Sequence, residues 1–273
     1  MPRIIVTSDL HLGITGKYQL RTLAENIAAE RPDLTILAGD IGEGMRNFVA
    51  CLDIFSCLPG VVGVLAGNHD VWARYGYHSK DLWECYLPRA VRAAGMLWLE
   101  DMTWRHDGVA VVGSMAWYDY SAADTAVPPY PPEFFAVNKG KYNADGWHID
   151  WPWADSEFAD RLGERLIARL DHAEHDASLR AILVVTHVPL CEEQIVRRVG
   201  NLRWGLGNAY FGNLTLGRRV LQYQKVRAII SGHTHVGRKG DTSRQHCPGA
   251  SPVQVMVVPS DYQQPDYVRF RLD

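Results

Sequence analysis

Two pairs of residues mark the ends of a series of metal-type side chains: Asp9 with His11, and His233 with His235. Between them come Asp40 after Gly39, Asn68 within Gly67-Asn68-His69-Asp70, and His187 after Thr186. Each follows or closes a short apolar run rich in Val and Ile. On an extended chain, residues two apart point to the same side, so each pair would present both of its members together, with Leu10 and Thr234 turned away. The glycines before Asp40, Asn68 and His233 permit tight turns and unusual backbone angles where a strand ends. A strand that ends in an oxygen or imidazole donor delivers it to the edge of a sheet, and five such ends can gather one cluster.

The donor types restrict the ion. Asp and Asn supply hard oxygens and His a borderline nitrogen, and no cysteine belongs to the set. That mixture suits Mn, Fe, Zn or Co better than Ca or Mg. Seven candidates, Asp9, His11, Asp40, Asn68, His187, His233 and His235, exceed the needs of one four-coordinate ion. Two ions sharing a bridging carboxylate use them all, and ions about 3.5–4 Å apart form a clamp for in-line displacement at phosphorus. Two divalent ions outweigh two aspartates in charge, so the site would attract an anion such as a phosphate ester.

The elements that must carry these residues follow from hydrophobic spacing. Residues 4–7, 34–38, 61–66, 96–99, 109–112, 181–185, 226–230, 253–258 and 268–272 read as strands. Helical spacing covers residues 18–30, 48–58 (stopped by Pro59-Gly60), 80–94 and 155–175. Continuous Val/Ile runs indicate strands buried on both faces, and their alternation with helices indicates layered α/β architecture.

In order, Asp9-Leu10-His11, Gly39-Asp40-Ile41-Gly42-Glu43, Gly67-Asn68-His69-Asp70, His187 and Gly232-His233-Thr234-His235 resemble the calcineurin-like metallophosphoesterases. That family's pattern runs D-x-H, GDxxD, GNH[DE], a lone H and GHxH. Glu43 departs from it, standing where the family often has Asp. The position is not usually a direct ligand, and the role of Glu43 is left open. The resemblance implies an α/β fold of two packed mixed β-sheets flanked by helices, a four-layer αββα sandwich, as one domain over residues 1–273. It implies Asp9, His11, Asp40 and His235 around one metal, and Asp40, Asn68, His187 and His233 around a second. The metals would be two divalent or trivalent transition-metal ions such as Mn, Fe or Zn. Metal-bound hydroxide would be the nucleophile for phosphatase or phosphodiesterase chemistry. His69 would be the general acid or stabilise the phosphoryl charge, with Asp70 orienting it by a hydrogen bond.

One segment breaks the alternation. Residues 114–153 are rich in Trp, Tyr and Pro and read as an aromatic-rich loop insertion. A loop this long is functional or disordered, and its aromatic content argues against disorder. It reads as a cap over the substrate, with packing on the surface or against a second copy in a homodimer as the rival. Residues 201–213 form a second candidate wall. Trp117, Arg203 and Tyr210 are the substrate-contact candidates from these stretches. His148 is the best placed of the histidines outside the motifs.

The 273 residues carry a net charge of −3, with 47% hydrophobic and 22% charged residues. That length supports a sizeable core. The charge offers no footprint for nucleic acid, which disfavours a nuclease of the same superfamily. A non-catalytic scaffold would be expected to have lost ligands, and none is lost. The five scattered cysteines read as mostly reduced thiols of a cytoplasmic protein. No 18-residue apolar run suggests a membrane span. A small phosphoester is the expected partner.

Overall fold

Eleven short strands take up the apolar runs: β1 (Ile4–Thr7), β2 (Leu34–Ala38), β3 (Val61–Leu65), β4 (Leu97–Trp98), β5 (Thr103–His106), β6 (Val109–Ser114), β7 (Ala181–Thr186), β8 (Val226–Ser231), β9 (Arg238–Thr242), β10 (Val253–Val257) and β11 (Tyr267–Phe270). The computed structural model describes residues 2–244 and 251–271. Cys247 and His246 lie outside the described residues, as does residue 272 at the end of the last expected strand.

The strands form two mixed sheets, ordered β11-β1-β2-β3-β4 and β5-β6-β7-β8-β10-β9. In the first, β1 to β4 are parallel and β11 runs antiparallel beside β1. In the second, β6, β7, β8 and β10 are parallel, with β5 and β9 antiparallel at the edges. Period-2 alternation sorts the side chains. Ile4, Val6, Leu34 and Ile36 share one buried cluster with Val109, Val111, Leu183, Val185, Ala228 and Ile230, which is the seam between the sheets. Their neighbours Ile5, Leu37, Val64, Ala110, Val112, Ile182 and Val184 join helix residues in the other cluster. Those helix residues include Leu20, Ile27, Phe48 and Phe55 from the helices Lys17–Ala29 and Met45–Phe55, and Phe158, Leu162 and Leu166 from Asp155–His175. The result is the layered α/β sandwich expected.

Parallel strands put their C-terminal ends on one edge. The ends of β1, β2 and β3 in one sheet, and of β7 and β8 in the other, are where the candidate ligands sit.

Three departures from these expectations stand out. The edge strands β5 and β9 lack an apolar run: Thr-Trp-Arg-His and Arg-Lys-Gly-Asp-Thr leave polar side chains toward water, the usual protection of a sheet edge. The helix expected over residues 80–94 is interrupted, with a π-helical turn, Leu82–Tyr86, between Ser79–Asp81 and Leu87–Ala93. The aromatic segment is not simply a loop. It folds the helices Pro132–Tyr142 and Asp145–His148, the first starting at the Pro positions that favour a helix N-terminus. Among the described residues no helix is long and apolar enough to cross a membrane.

Candidate metal centre

All seven candidate ligands converge beyond the C-terminal ends of the parallel strands. Five of them have left-handed backbone, with φ of 55° at Asp9, 41° at His11, 53° at Asp40, 71° at His233 and 56° at His235. Each such non-glycine residue costs about 1–3 kcal/mol, and residues of this kind cluster at functional sites. The neighbouring glycines act more through space than through conformation. A Cβ on Gly67 would lie 2.1 Å from Asp40 Oδ1, and one on Gly232 would lie 1.8 Å from Ser8 Oγ and 2.5 Å from Asp9 Oδ2. Only at Gly39, with φ of 92°, is unusual backbone required as well.

The hydrogen bonds fix the tautomers and thereby expose the need for a cation. His187 Nδ1 meets the Ala38 carbonyl at 3.0 Å, so it carries the proton and leaves a lone pair on Nε2. His233 Nε2 meets the Tyr210 carbonyl at 3.0 Å, leaving the lone pair on Nδ1. The Asn68 amide donates through Nδ2 to Asp145 Oδ1 at 2.8 Å, so its Oδ1 is an acceptor. Yet that oxygen faces His187 Nε2 at 3.1 Å and His233 Nδ1 at 3.0 Å. Three lone pairs point at one another, and Asp40 Oδ1 stands 3.5 Å from His187 Nε2. A second group gathers beside it. His11 Nδ1 meets Glu43 Oε1 at 3.0 Å, which leaves His11 Nε2 facing His235 Nε2 at 3.3 Å and Asp40 Oδ2 at 3.4 Å. His235 Nε2 in turn lies 3.6 Å from Asp9 Oδ1. Asp9, His11, Asp40 and His235 place one donor atom each within 4.8 Å of all the others.

Acceptors crowded without protons repel unless a cation lies among them. Protonated imidazole does not fill that role around Asn68, because burial depresses His187 to about 3 and lowers His233 as well. Burial, with the charges of Asp70 and Asp9 beside it, pushes the Asp40 carboxyl well above its usual range. A bound cation reverses that sign. The donor set therefore fits divalent metal ions.

His69 lies beside this cluster, and its partner corrects the sequence reading. The hydrogen bond expected from Asp70 comes instead from Glu43, whose Oε1 is 2.9 Å from His69 Nδ1. Asp70 is buried and accepts the backbone N–H groups of Gly67, Ile41 and Gly42 at 2.8, 2.9 and 3.1 Å. It ties the Asp40 loop to the Asn68 loop. Glu43 also pairs with Arg74. The Trp72 ring stacks on His69 with centroids 3.6 Å apart, and His148 stacks on Trp72 at 4.4 Å. Trp72, three residues beyond His69, gave no signal except its closeness to the motif.

A cleft of about 350 Å³ opens over the cluster, with Trp72, Tyr142, Trp204, Phe211 and Tyr262 among its aromatic walls. Tyr142 comes from the aromatic segment, and Trp204 and Phe211 from residues 201–213. Most of the aromatic segment nevertheless packs inward, and the three substrate-contact candidates are displaced. Trp117 is fully buried and donates to Asp155 Oδ1 at 2.7 Å. Tyr210 is fully buried, its hydroxyl donating to the Phe135 carbonyl at 2.7 Å. Arg203 is exposed and is not among the residues lining the cleft. Alternating aromatic residues carry no marker in the sequence of which side faces the core. Tyr118 is buried too, while the 75%-exposed Trp147 donates to the Gly140 carbonyl. Arg197 is committed to Glu192, and Arg198 covers the Trp204 ring at 3.7 Å. Asp119 caps its own loop through the Ser121 N–H.

A family model described as calcineurin-like phosphoesterase matches residues 2–237. No curated protein sequence matches the chain. Among solved structures, phosphopantetheinyl hydrolase from Mycobacterium tuberculosis is similar, with a TM-score of 0.74 at 20% identity over 98% of this chain and 95% of that one. A dimetal phosphatase from Danio rerio gives 0.53 at 15% identity, over 94% and 88% of the two chains. A Thermus thermophilus protein gives 0.54 at 14%, over 96% and 90%. At these identities the likeness is one of fold.

Proposed function

The chain belongs to the calcineurin-like phosphoesterases, and from that premise we propose a binuclear centre in which Asp9, His11, Asp40 and His235 hold one ion and Asp40, Asn68, His187 and His233 a second. Metal-dependent phosphoester hydrolysis is the family's chemistry. The observation that carries the two-ion reading is the crowding of unprotonated acceptors around Asn68 Oδ1, beside the separate convergence of Asp9, His11, Asp40 and His235. When bound, the ions supply Lewis acidity and lower the pKa of water. Mn, Fe and Zn all suit the donors.

His69 is assigned the leaving-group oxygen. Glu43 holds the proton on Nδ1, which leaves Nε2 as the ring atom that exchanges a proton with the ester. Glu43 also compensates the charge the ring carries when both nitrogens are protonated. Trp72 restricts the ring's rotation by stacking.

The substrate is proposed to be a small phosphoester, mono- or diester, whose organic group lies against the aromatic walls. Among the described residues that line the cleft none is Lys or Arg, which weighs against a nuclease gripping a polyphosphate backbone. The whole chain is read as one domain, with residues 114–153 contributing Tyr142, Asn143 and Ala144 to the rim. Four described cysteines are unpaired, in keeping with a cytoplasmic setting.

Elemental analysis of stripped protein reloaded with Mn, Fe or Zn tests the centre, combined with a panel of aryl, alkyl, nucleotide and phosphopantetheinyl esters. Two ions per chain with hydrolysis of small esters is the expected result. A single bound ion that leaves His187 and His233 unligated overturns it.

A further inference from the structure

Asp145 is a buried acid that no metal-type motif contains. It lies in the aromatic segment at the start of the helix Asp145–His148, with no exposed surface. Its two oxygens accept three side-chain donors. Oδ1 receives Asn68 Nδ2 at 2.8 Å and Trp72 Nε1 at 2.6 Å, and Oδ2 receives the Tyr118 hydroxyl at 3.0 Å. A carboxylate only accepts, so it settles which end of the Asn68 amide faces it. The NH2 group turns to Asp145 and the carbonyl oxygen turns to His187 and His233. Without that acceptor, the amide is free to present its NH2 group to the histidines, and a nitrogen with two protons binds no cation.

We propose that Asp145 is a positioning residue of the second metal site, aiming Asn68 Oδ1 at the ion and making the aromatic segment part of the centre's support. This rests on the two-ion reading above. The same carboxylate holds Trp72, whose ring packs on His69, so one side chain of the insertion supports both the Asn68 amide and the ring beside the candidate acid.

Metal binding, followed separately from turnover, tests this. Wild-type protein and the variants are stripped, then titrated with Mn or Zn while bound ions per chain and thermal midpoint are recorded. Asp145→Ala should bind the second ion 10–100-fold more weakly, the usual scale for an outer partner of a metal ligand, while the first ion is retained. Tyr118→Phe, which removes another bond to the same carboxylate, should lower the midpoint and retain both ions. Asp145→Asn should bind both ions within about threefold of wild type. Its Oδ1 still accepts Asn68 and Trp72, and the Tyr118 hydroxyl turns to accept the new amide. Asp145→Glu keeps the charge but moves the oxygens, and should lose the second ion. If Asp145→Ala does not fold, the Asn and Glu variants decide alone. Retention by Asn with loss by Glu supports positioning, and the reverse overturns it in favour of a field effect. Wild-type protein binding two ions and folded Asp145→Ala binding both as tightly sinks this inference alone. Wild-type protein binding one ion sinks the two-ion reading, and this inference with it.

Discussion

His11 and His69 are joined through a single oxygen: Glu43 Oε1 lies 3.0 Å from His11 Nδ1 and 2.9 Å from His69 Nδ1, and the two rings meet edge to face at 4.6 Å. A candidate metal ligand and the candidate acid thus depend on the same carboxylate. Burial alone would raise the Glu43 pKa, but the hydrogen bonds from the two histidines bring it below the usual carboxylate range. Glu43→Ala should weaken first-ion binding and lower kcat together, each by about 10–100-fold. Metal titration and turnover on an ester with a poor leaving group check both at once. A variant that loses neither would leave Glu43 as an ordinary partner of Arg74.

His69→Ala separates chemistry from binding. It should retain both ions and lose roughly 10²–10⁴-fold in kcat on alkyl esters, the scale of general acid catalysis. The loss should shrink on nitrophenyl esters, whose leaving group needs no proton. Equal losses on the two classes would assign His69 to phosphoryl charge instead.

Trp117 and Trp204 should respond in opposite ways. Trp117→Ala hollows the core and should cost about 3–5 kcal/mol of stability, with kcat/KM ratios between aryl and alkyl esters unchanged in the folded fraction. Trp204→Ala, at the cleft wall, should shift those ratios with little change in the melting midpoint. Denaturant unfolding and the ester panel measure the two effects.

Glu100 gives a pH dependence away from the metals. It is buried and accepts the Ala66 and Met115 backbone N–H groups at 3.3 and 3.0 Å, and burial outweighs these bonds to raise its pKa to about 7. Between the unfolded value of 4.5 and about 7, the folded chain holds a proton that the unfolded chain has released. This group therefore makes stability fall as pH rises through that window. The stability of Glu100→Gln relative to wild type should rise from pH 5 to pH 7, on the order of 2–3 kcal/mol at most, then level off. Chemical denaturation of both proteins in one metal state reads it. A pH-independent difference would mean that Glu100 stays ionised.

Most of the frame and the cluster of candidate ligands were legible in sequence spacing, because both obey local rules. A Val/Ile run ending in Asp, Asn or His is visible without knowing what packs above it. The central strands β2 and β7 and the helix Asp155–His175 follow directly from such runs. The supporting residues do not. Asp145 reaches Asn68 across 77 positions of chain, and nothing in Asn-Ala-Asp-Gly-Trp announces it. The family resemblance implies a hydrogen bond between Asp70 and His69, yet the Asp70 side chain turns toward the Ile41 and Gly42 backbone. Trp117 and Trp204 have the same side-chain chemistry, and only tertiary packing puts one in the core and the other at the cleft.

The candidate ligands come from the ends of strands in both sheets, and the last of them, His235, lies near the far end of the chain. A growing polypeptide stopped before β8 would own Asp9, His11, Asp40, Asn68 and His187, yet could not complete either ion's shell. On the two-ion reading, metal binding would require that the first and last portions of the chain have met. Ions held across the seam would favour the closed sandwich, and their concentration would then adjust the opening of the two halves by mass action. Metal scarcity would therefore be felt as shorter protein lifetime as well as lost turnover.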